Sequence, residues 1–197
     1  YFSQVFDSLM QLKEKGIIKG ESTHFPSVDN YYRWMRGEIT CLYGYGNVGK
    51  SAFMTQLQLV KSVKDGYKWA VFSPENFPVE FYYRDILQAY FGKPLNELSS
   101  LQMEDGRDFI NDHFFYIYPK NESPTPDLIL KRFTEMIIKH KIDGVLIDPF
   151  NQLDNDWGRS GRDDKYLEKV LTQFKRFAQN HNIFFHICAH PTKPCLL

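Results

Sequence analysis

The chain is short of several things, and each shortage excludes something. Of 197 residues only three are cysteine: Cys41, Cys188 and Cys195. Three cysteines scattered this way make neither a disulfide framework nor a zinc site. Cys41 and Cys188 lie inside apolar runs and read as small core residues, and a reducing setting is the default. No apolar run approaches the roughly 18 residues of a membrane span. The opening "YFSQVFDSLMQLKEKG" lacks the charged-then-apolar order of a signal peptide, and it lacks an initiator Met, as a fragment would. There is no surplus of charge: 24 basic residues balance 24 acidic ones. Composition therefore gives no sign of a nucleic-acid binder, and any such binding has to come from a local patch. Internal repeats and low-complexity segments are lacking too.

What remains is ordinary for a globular domain, 43% hydrophobic and 24% charged, with aromatics rich at 16%. The length suits one domain with a sizeable core. Phe2, Val5, Phe6 and Leu9 recur at helical spacing, with Gly16 as a stop, so residues 1–20 read as an arm outside a core at 21–197. "KGESTHFPSVDN" reads as a linker or loop. From there strands and helices alternate. Strands are expected at 38–43, 68–73, 113–119, 143–149 and 183–190. Helices are expected over "GKSAFMTQLQLVKSVKDG", 79–92, 126–141 and 163–181. That rhythm implies an α/β fold, a mostly parallel central sheet with helices on both faces. The near-continuous apolar strands agree with a doubly covered sheet. Ligands in such sheets bind at the carboxyl ends of strands, so those ends carry the functional reading.

Gly44, Gly49, Lys50 and Ser51 in "LYGYGNVGKSAF" satisfy G-x-x-x-x-G-K-[ST], with a strand before and a helix after. Glycines let the backbone turn its N–H groups onto phosphate oxygens, and the following helix offers its positive end to the same anion. The stretch Gly44, Tyr45, Gly46, Asn47, Val48, Gly49, Lys50, Ser51 and Ala52 is thus expected to cradle a nucleoside triphosphate. Lys50 would reach the β- and γ-phosphates and Ser51 would offer its hydroxyl to Mg²⁺. Asp148 ends "VLIDP", where an acid can hold Mg²⁺ through water. Glu75, just after the second strand, can polarise the water that attacks the γ-phosphate. His190, at the end of the last strand, can contact the γ-phosphate and report its loss. His186, in mid-strand, reads as structural.

These strand ends, in this order, resemble the RecA-like ATPase core of hexameric replicative DNA helicases, the DnaB and Twinkle branch with its phage primase-helicases. The likeness runs through "FPSVDNYYRWMRGEITCLYGYGNVGKSAF", "VFSPENFPVEFYYRDIL", "IDGVLIDPFNQL" and "YLEKVLTQFKRFAQNHNIFFHICAHPTK". "HPTK" looks more like Twinkle than like bacterial DnaB, where a glutamine is usual at the His190 position. The resemblance implies a RecA-like P-loop NTPase using ATP and Mg²⁺, with Glu75 as catalytic base, Asp148 as the metal-site acid and His190 as γ-phosphate sensor. It implies single-stranded DNA as track, a hexameric ring, and a primase domain or partner. It implies a bacterial or phage-infected cytoplasm, or an organellar matrix. Lys193 would couple the site to a neighbouring subunit, and the arm would pack on that neighbour or fold back on its own core. Arg84, in the helix after Glu75, reads as structural, paired with Asp85 or Glu80.

In such helicases a loop after the Asp148 strand faces the ring channel. Here residues 151–164 carry Arg159 and Arg162, cations suited to tracking a DNA backbone without reading bases. Asp154, Asp156, Asp163 and Asp164 oppose them. Two departures stand out. Before the first core strand "YYRWMRGE" has only Gly37 where the family usually has paired glycines. The chain also stops at "HPTKPCLL", short of the family's further strands, second channel loop and arginine finger. An arginine finger is worth about 10³–10⁵ in rate, so slow hydrolysis is expected without one. Another RecA-like ATPase, a recombinase or a regulatory ring, is the alternative. A small-molecule kinase on a phosphate-loop fold would need an arginine-rich lid, and the chain has none.

Overall fold

A computed structural model describes residues 2–15, 20–154 and 163–191. The chain divides into two compact units, Tyr1–Met35 and Arg36–Leu197. The arm read at 1–20 and the segment after it thus sort together, with the division falling after Met35. No helix among the described residues is long and apolar enough to cross a membrane.

In the first unit α1 (Phe2–Lys15) leaves Phe2, Val5, Phe6 and Leu9 exposed, with the Phe2 and Phe6 rings 5.9 Å apart. The segment read as a loop contains a single helical turn, α2 (Pro26–Asp29), started by proline, which is pre-set for a first helical position. The Asp29 carboxylate ties this turn together. It accepts from the Ser22 hydroxyl and from the Thr23 N–H and hydroxyl, and those bonds hold its pKa down at about 2.

The second unit is a parallel five-stranded sheet in the order β1-β5-β4-β2-β3. The strands are β1 (Ile39–Tyr43), β2 (Trp69–Phe72), β3 (Phe114–Ile117), β4 (Gly144–Ile147) and β5 (Phe184–Ala189). Every residue of β2 and β4 is buried, which requires cover on both faces. On one face Ala70, Phe72, Val145, Ile147, Phe185 and Ile187 join the core formed by α6 (Pro126–His140) and α7 (Asp163–His181). On the other, α3 (Lys50–Asp65) receives the Trp69 indole, whose N–H donates to the Gln58 carbonyl and the Ser62 hydroxyl. α4 (Val79–Phe91) follows α3 on that side, then α5 (Ser100–His113).

Two expectations are corrected. Cys41 is exposed rather than in the core, because β1 is an edge strand paired only with β5. The α5 helix lies where no element was expected, started by a capping box in which Ser99 and Gln102 exchange side-chain and backbone bonds. Cys188 is fully buried, as its apolar run suggested.

At the amino ends of the strands Arg36 joins three segments. Its guanidinium donates to the Asp143 carboxylate at 2.8 Å and to the Asn182 carbonyl at 3.2 Å, and it stands 4.7 Å over the Phe184 ring. Gly144 is needed under Trp69, since a Cβ there would lie 2.3 Å from the indole ring. These contacts align β2, β4 and β5, and so bring their carboxyl ends level at the opposite edge.

Candidate nucleotide site

At that opposite edge β1 ends at Tyr43 and the glycine-rich loop begins. The Gly44 N–H still bonds to the Ala189 carbonyl at 3.3 Å, so the loop starts anchored to the end of β5. The chain then reverses through Asn47 at φ 61° and Gly49 at φ 91°, left-handed backbone that glycine adopts without strain. Gly49 is the N-cap of α3 and has no side chain to cover the first turn. The free N–H groups of that turn therefore face out of the helix end, a ready anion site. Tyr45 and Val48 stay more than half exposed on the outside of the loop.

Lys50 is buried beneath this loop. Its ammonium donates to the Gly44 carbonyl at 2.8 Å, to the Tyr45 carbonyl at 2.6 Å and to His190 Nδ1 at 3.0 Å. An ammonium has only donors, so Nδ1 must accept, and the ring proton sits on Nε2. That nitrogen faces Glu75, whose Oε2 is 3.7 Å away. Lys50, His190 and Glu75 thus form one run of contacts along the cleft. The expected reach of Lys50 to phosphate requires it to leave these carbonyls.

Asp148 follows β4 and is 4% exposed, with its N–H bonded to the Phe72 carbonyl at 2.9 Å. Burial pushes its carboxyl pKa up, and hydrogen bonds from Ser51 and the Cys188 thiol oppose the rise. The Cys188 thiol is itself pushed far up by burial and by this carboxylate, and so stays protonated as a donor. Among the described residues no cluster of three or more His, Cys, Asp or Glu could hold a metal alone. One hydroxyl and one carboxylate do suit Mg²⁺, which keeps water and takes its other oxygens from phosphates. A cation beside Asp148 would also relieve the cost of its buried charge.

Glu75 lies beyond β2 on a turn closed by the Asn76 N–H to the Ser73 carbonyl at 3.1 Å. The Asn76 amide also donates to the Ser73 hydroxyl at 2.8 Å, and the Tyr116 hydroxyl bonds the Ser73 carbonyl. Glu75 is half exposed and can turn toward a ligand. His186 is buried between Trp69 and Phe184, and burial takes its pKa down to about 3, so it remains neutral. Arg84 pairs with Asp85 at 2.6 Å. Gly46, Asn47, Gly49, Lys50, Ser51, Ala52, Glu75 and His190 line one cleft of about 750 Å³. A larger cleft, about 1000 Å³ between α6 and α7, contains none of them. Arg159, Arg162 and Lys193 lie outside the described residues.

Two residues not singled out in the sequence belong to this neighbourhood. Asn151, in the short helical turn Phe150–Gln152 after Asp148, grips the backbone of His190 from both sides. Its Oδ1 accepts from the His190 N–H at 2.9 Å and its amide donates to the His190 carbonyl at 3.3 Å. Tyr82 lines the cleft from α4 and is 4% exposed. Asn151 could have been suspected from a polar residue so soon after the Asp148 strand. Tyr82 gave no signal, since it reads as one more aromatic on an apolar helix face.

Known proteins share this fold, although no family model matches the chain. The chain is 29% identical over 202 aligned residues to the chloroplastic/mitochondrial Twinkle homolog of Arabidopsis thaliana, an alignment covering 96% of this chain and 28% of that protein. One solved ATPase domain superposes with a TM-score of 0.74 at 14% identity, covering 98% of this chain and 72% of that one. A DnaB-like replicative helicase, studied with its interactions with primase, superposes at 0.70 and 15% identity, covering 98% of this chain and 49% of that one. The fold is RecA-like, as in these two solved structures. That fold accounts for the parallel sheet and for a cleft at the carboxyl ends of its strands. The chain spans little more than a quarter of the length of the curated relative it matches.

Proposed function

We propose that this chain is the motor domain of a replicative DNA helicase, which hydrolyses ATP to move along single-stranded DNA and unwind the duplex ahead. The observation that carries the reading is the gathering of Lys50, Ser51, Glu75, Asp148 and His190 around one end of the sheet, in a chain similar to a Twinkle homolog over almost its whole length. In this reading the residues from Gly44 to Ala52 wrap the triphosphate with backbone N–H groups. Lys50 exchanges its carbonyl partners for phosphate oxygens. Ser51 and Asp148 hold Mg²⁺, Asp148 through water. Mg²⁺ supplies charge neutralisation on the transferred phosphoryl group. Glu75 takes the proton of the attacking water, and His190 registers the phosphate that Lys50 now holds.

A ring of like subunits belongs to this reading, since pore loops and the exposed face of α1 both call for a neighbour. Arg159 and Arg162 are assigned to the DNA backbone. A primase domain or partner and an organellar or cytoplasmic setting complete it. A forked-duplex assay tests it, with Lys50→Ala as the inactive comparison. ATP-dependent strand separation by the wild type, lost in Lys50→Ala, supports a helicase. Filament formation on DNA without strand separation would instead favour a recombinase.

A further inference from the structure

Among the described residues the Tyr82 hydroxyl is a buried donor with nothing to bond. Its oxygen is sealed from solvent, and among the described residues it has no hydrogen-bond partner. A buried polar group left unpaired is costly, and most native ones are satisfied. The surroundings hold Tyr82 firmly all the same. Its ring stands 5.4 Å from that of Tyr83 and 5.3 Å from that of Tyr116, and Tyr116 is bonded in turn to Ser73, on the turn that carries Glu75. Tyr82 lines the same cleft as Lys50, Ser51, Glu75 and His190. The Asp148 carboxylate is close enough to help burial push the phenol's pKa well above its ordinary value, so the hydroxyl keeps its proton and can donate.

We infer that Tyr82 is a further ligand-binding residue of this site, its hydroxyl donating the missing hydrogen bond to the terminal phosphate of the bound nucleotide. The inference rests on the nucleotide reading above and extends it to a residue on α4. The phenol is near enough to feel the Asp148 carboxylate, and the bond requires the sealed hydroxyl to be uncovered as the nucleotide seats. Left unpaired, the hydroxyl is a cost. With a triphosphate bound it becomes a charge-assisted bond, stronger than a neutral one. The residue thus gives up stability of the free protein for discrimination between triphosphate and diphosphate.

Tyr82→Phe removes one oxygen and keeps the ring. Calorimetric titration with Mg²⁺ and either β,γ-imido-ATP or ADP, alongside thermal unfolding of the free protein, tests the inference. The expected result is about a ten- to hundredfold loss of affinity for the triphosphate analogue, unchanged ADP affinity, and a melting temperature equal to wild type or a few degrees higher. Gln58→Met is the comparison. Gln58 is equally buried, and its amide likewise has no partner among the described residues, but it lies outside the cleft. That variant should melt higher and bind both nucleotides as wild type does. Equal affinity of Tyr82→Phe and wild type for the analogue overturns the inference, as does an equal loss for both nucleotides. A wild type that binds neither nucleotide overturns the nucleotide reading itself.

Discussion

Removing the Asn151 side chain should slow ATP turnover without weakening substrate binding. The two bonds that Asn151 makes to the His190 backbone, at 2.9 and 3.3 Å, are neutral and half open to water. Neutral hydrogen bonds contribute about 0.5–1.5 kcal/mol each, so the pair spans about 1–3 kcal/mol, with about 1–2 kcal/mol expected where water can replace them. Fully transmitted to the transition state, the expected figures correspond to roughly 5- to 30-fold in rate. The route is through His190, which sits 3.0 Å from the Lys50 ammonium and 3.7 Å from Glu75. A His190 that drifts loosens both contacts. Steady-state kinetics of Asn151→Ala should therefore show kcat down within that range and KM for Mg·ATP little changed. A double-mutant cycle makes the reasoning refutable. If Asn151 acts by holding His190, adding Asn151→Ala to His190→Ala costs almost nothing further. Losses that simply add, or a full-rate Asn151→Ala, would show that the clamp has no part in turnover.

Other substitutions separate stability from chemistry. The Asp148 carboxyl has its folded pKa raised by burial, so its contribution to stability is full below the unfolded carboxylate range and is lost as pH rises through the folded value. Asp148→Asn should accordingly melt higher than wild type at pH 7 in the absence of nucleotide, flatten the fall in stability above about pH 4, and hydrolyse no ATP; a lower melting temperature at pH 7 would contradict this. Arg36→Met should cost about 1–2 kcal/mol in a denaturant titration. That allows for the bonds to Asp143 and Asn182 and the contacts with the Tyr67 and Phe184 rings, discounted for a side chain 26% exposed, with nucleotide affinity unchanged because Arg36 is at the far end of the strands.

Much of this was legible in the sequence because it is local. The glycine-rich loop, its preceding strand and its following helix are neighbours in the chain, and the residue types at Gly49, Lys50 and Ser51 state their own requirement. Asp148 and His190 could be singled out because each ends an apolar run. Other features depended on what the chain brings together from afar. Cys41 reads as core from its neighbours, yet the strand order leaves β1 at the edge. α5 was hidden by its polar composition and by Gly106, whose missing Cβ makes room for Leu87 and Phe91 of α4. Its capping box, Ser99 with Gln102, was the readable clue. The grip of Asn151 on His190 and the unpaired Tyr82 hydroxyl arise only when separate elements meet. The hold of Gly44 and Tyr45 on Lys50 could not be read either, since the motif says nothing of which carbonyls its lysine meets.

The most direct test of a DNA motor is steady-state ATP hydrolysis with and without single-stranded DNA, using Glu75→Gln as the blank. Such a motor predicts strong stimulation by single strands in the wild type, and in Glu75→Gln retained ATP binding with turnover lost. Brisk hydrolysis indifferent to DNA, or a Glu75→Gln variant that turns over normally, would contradict it.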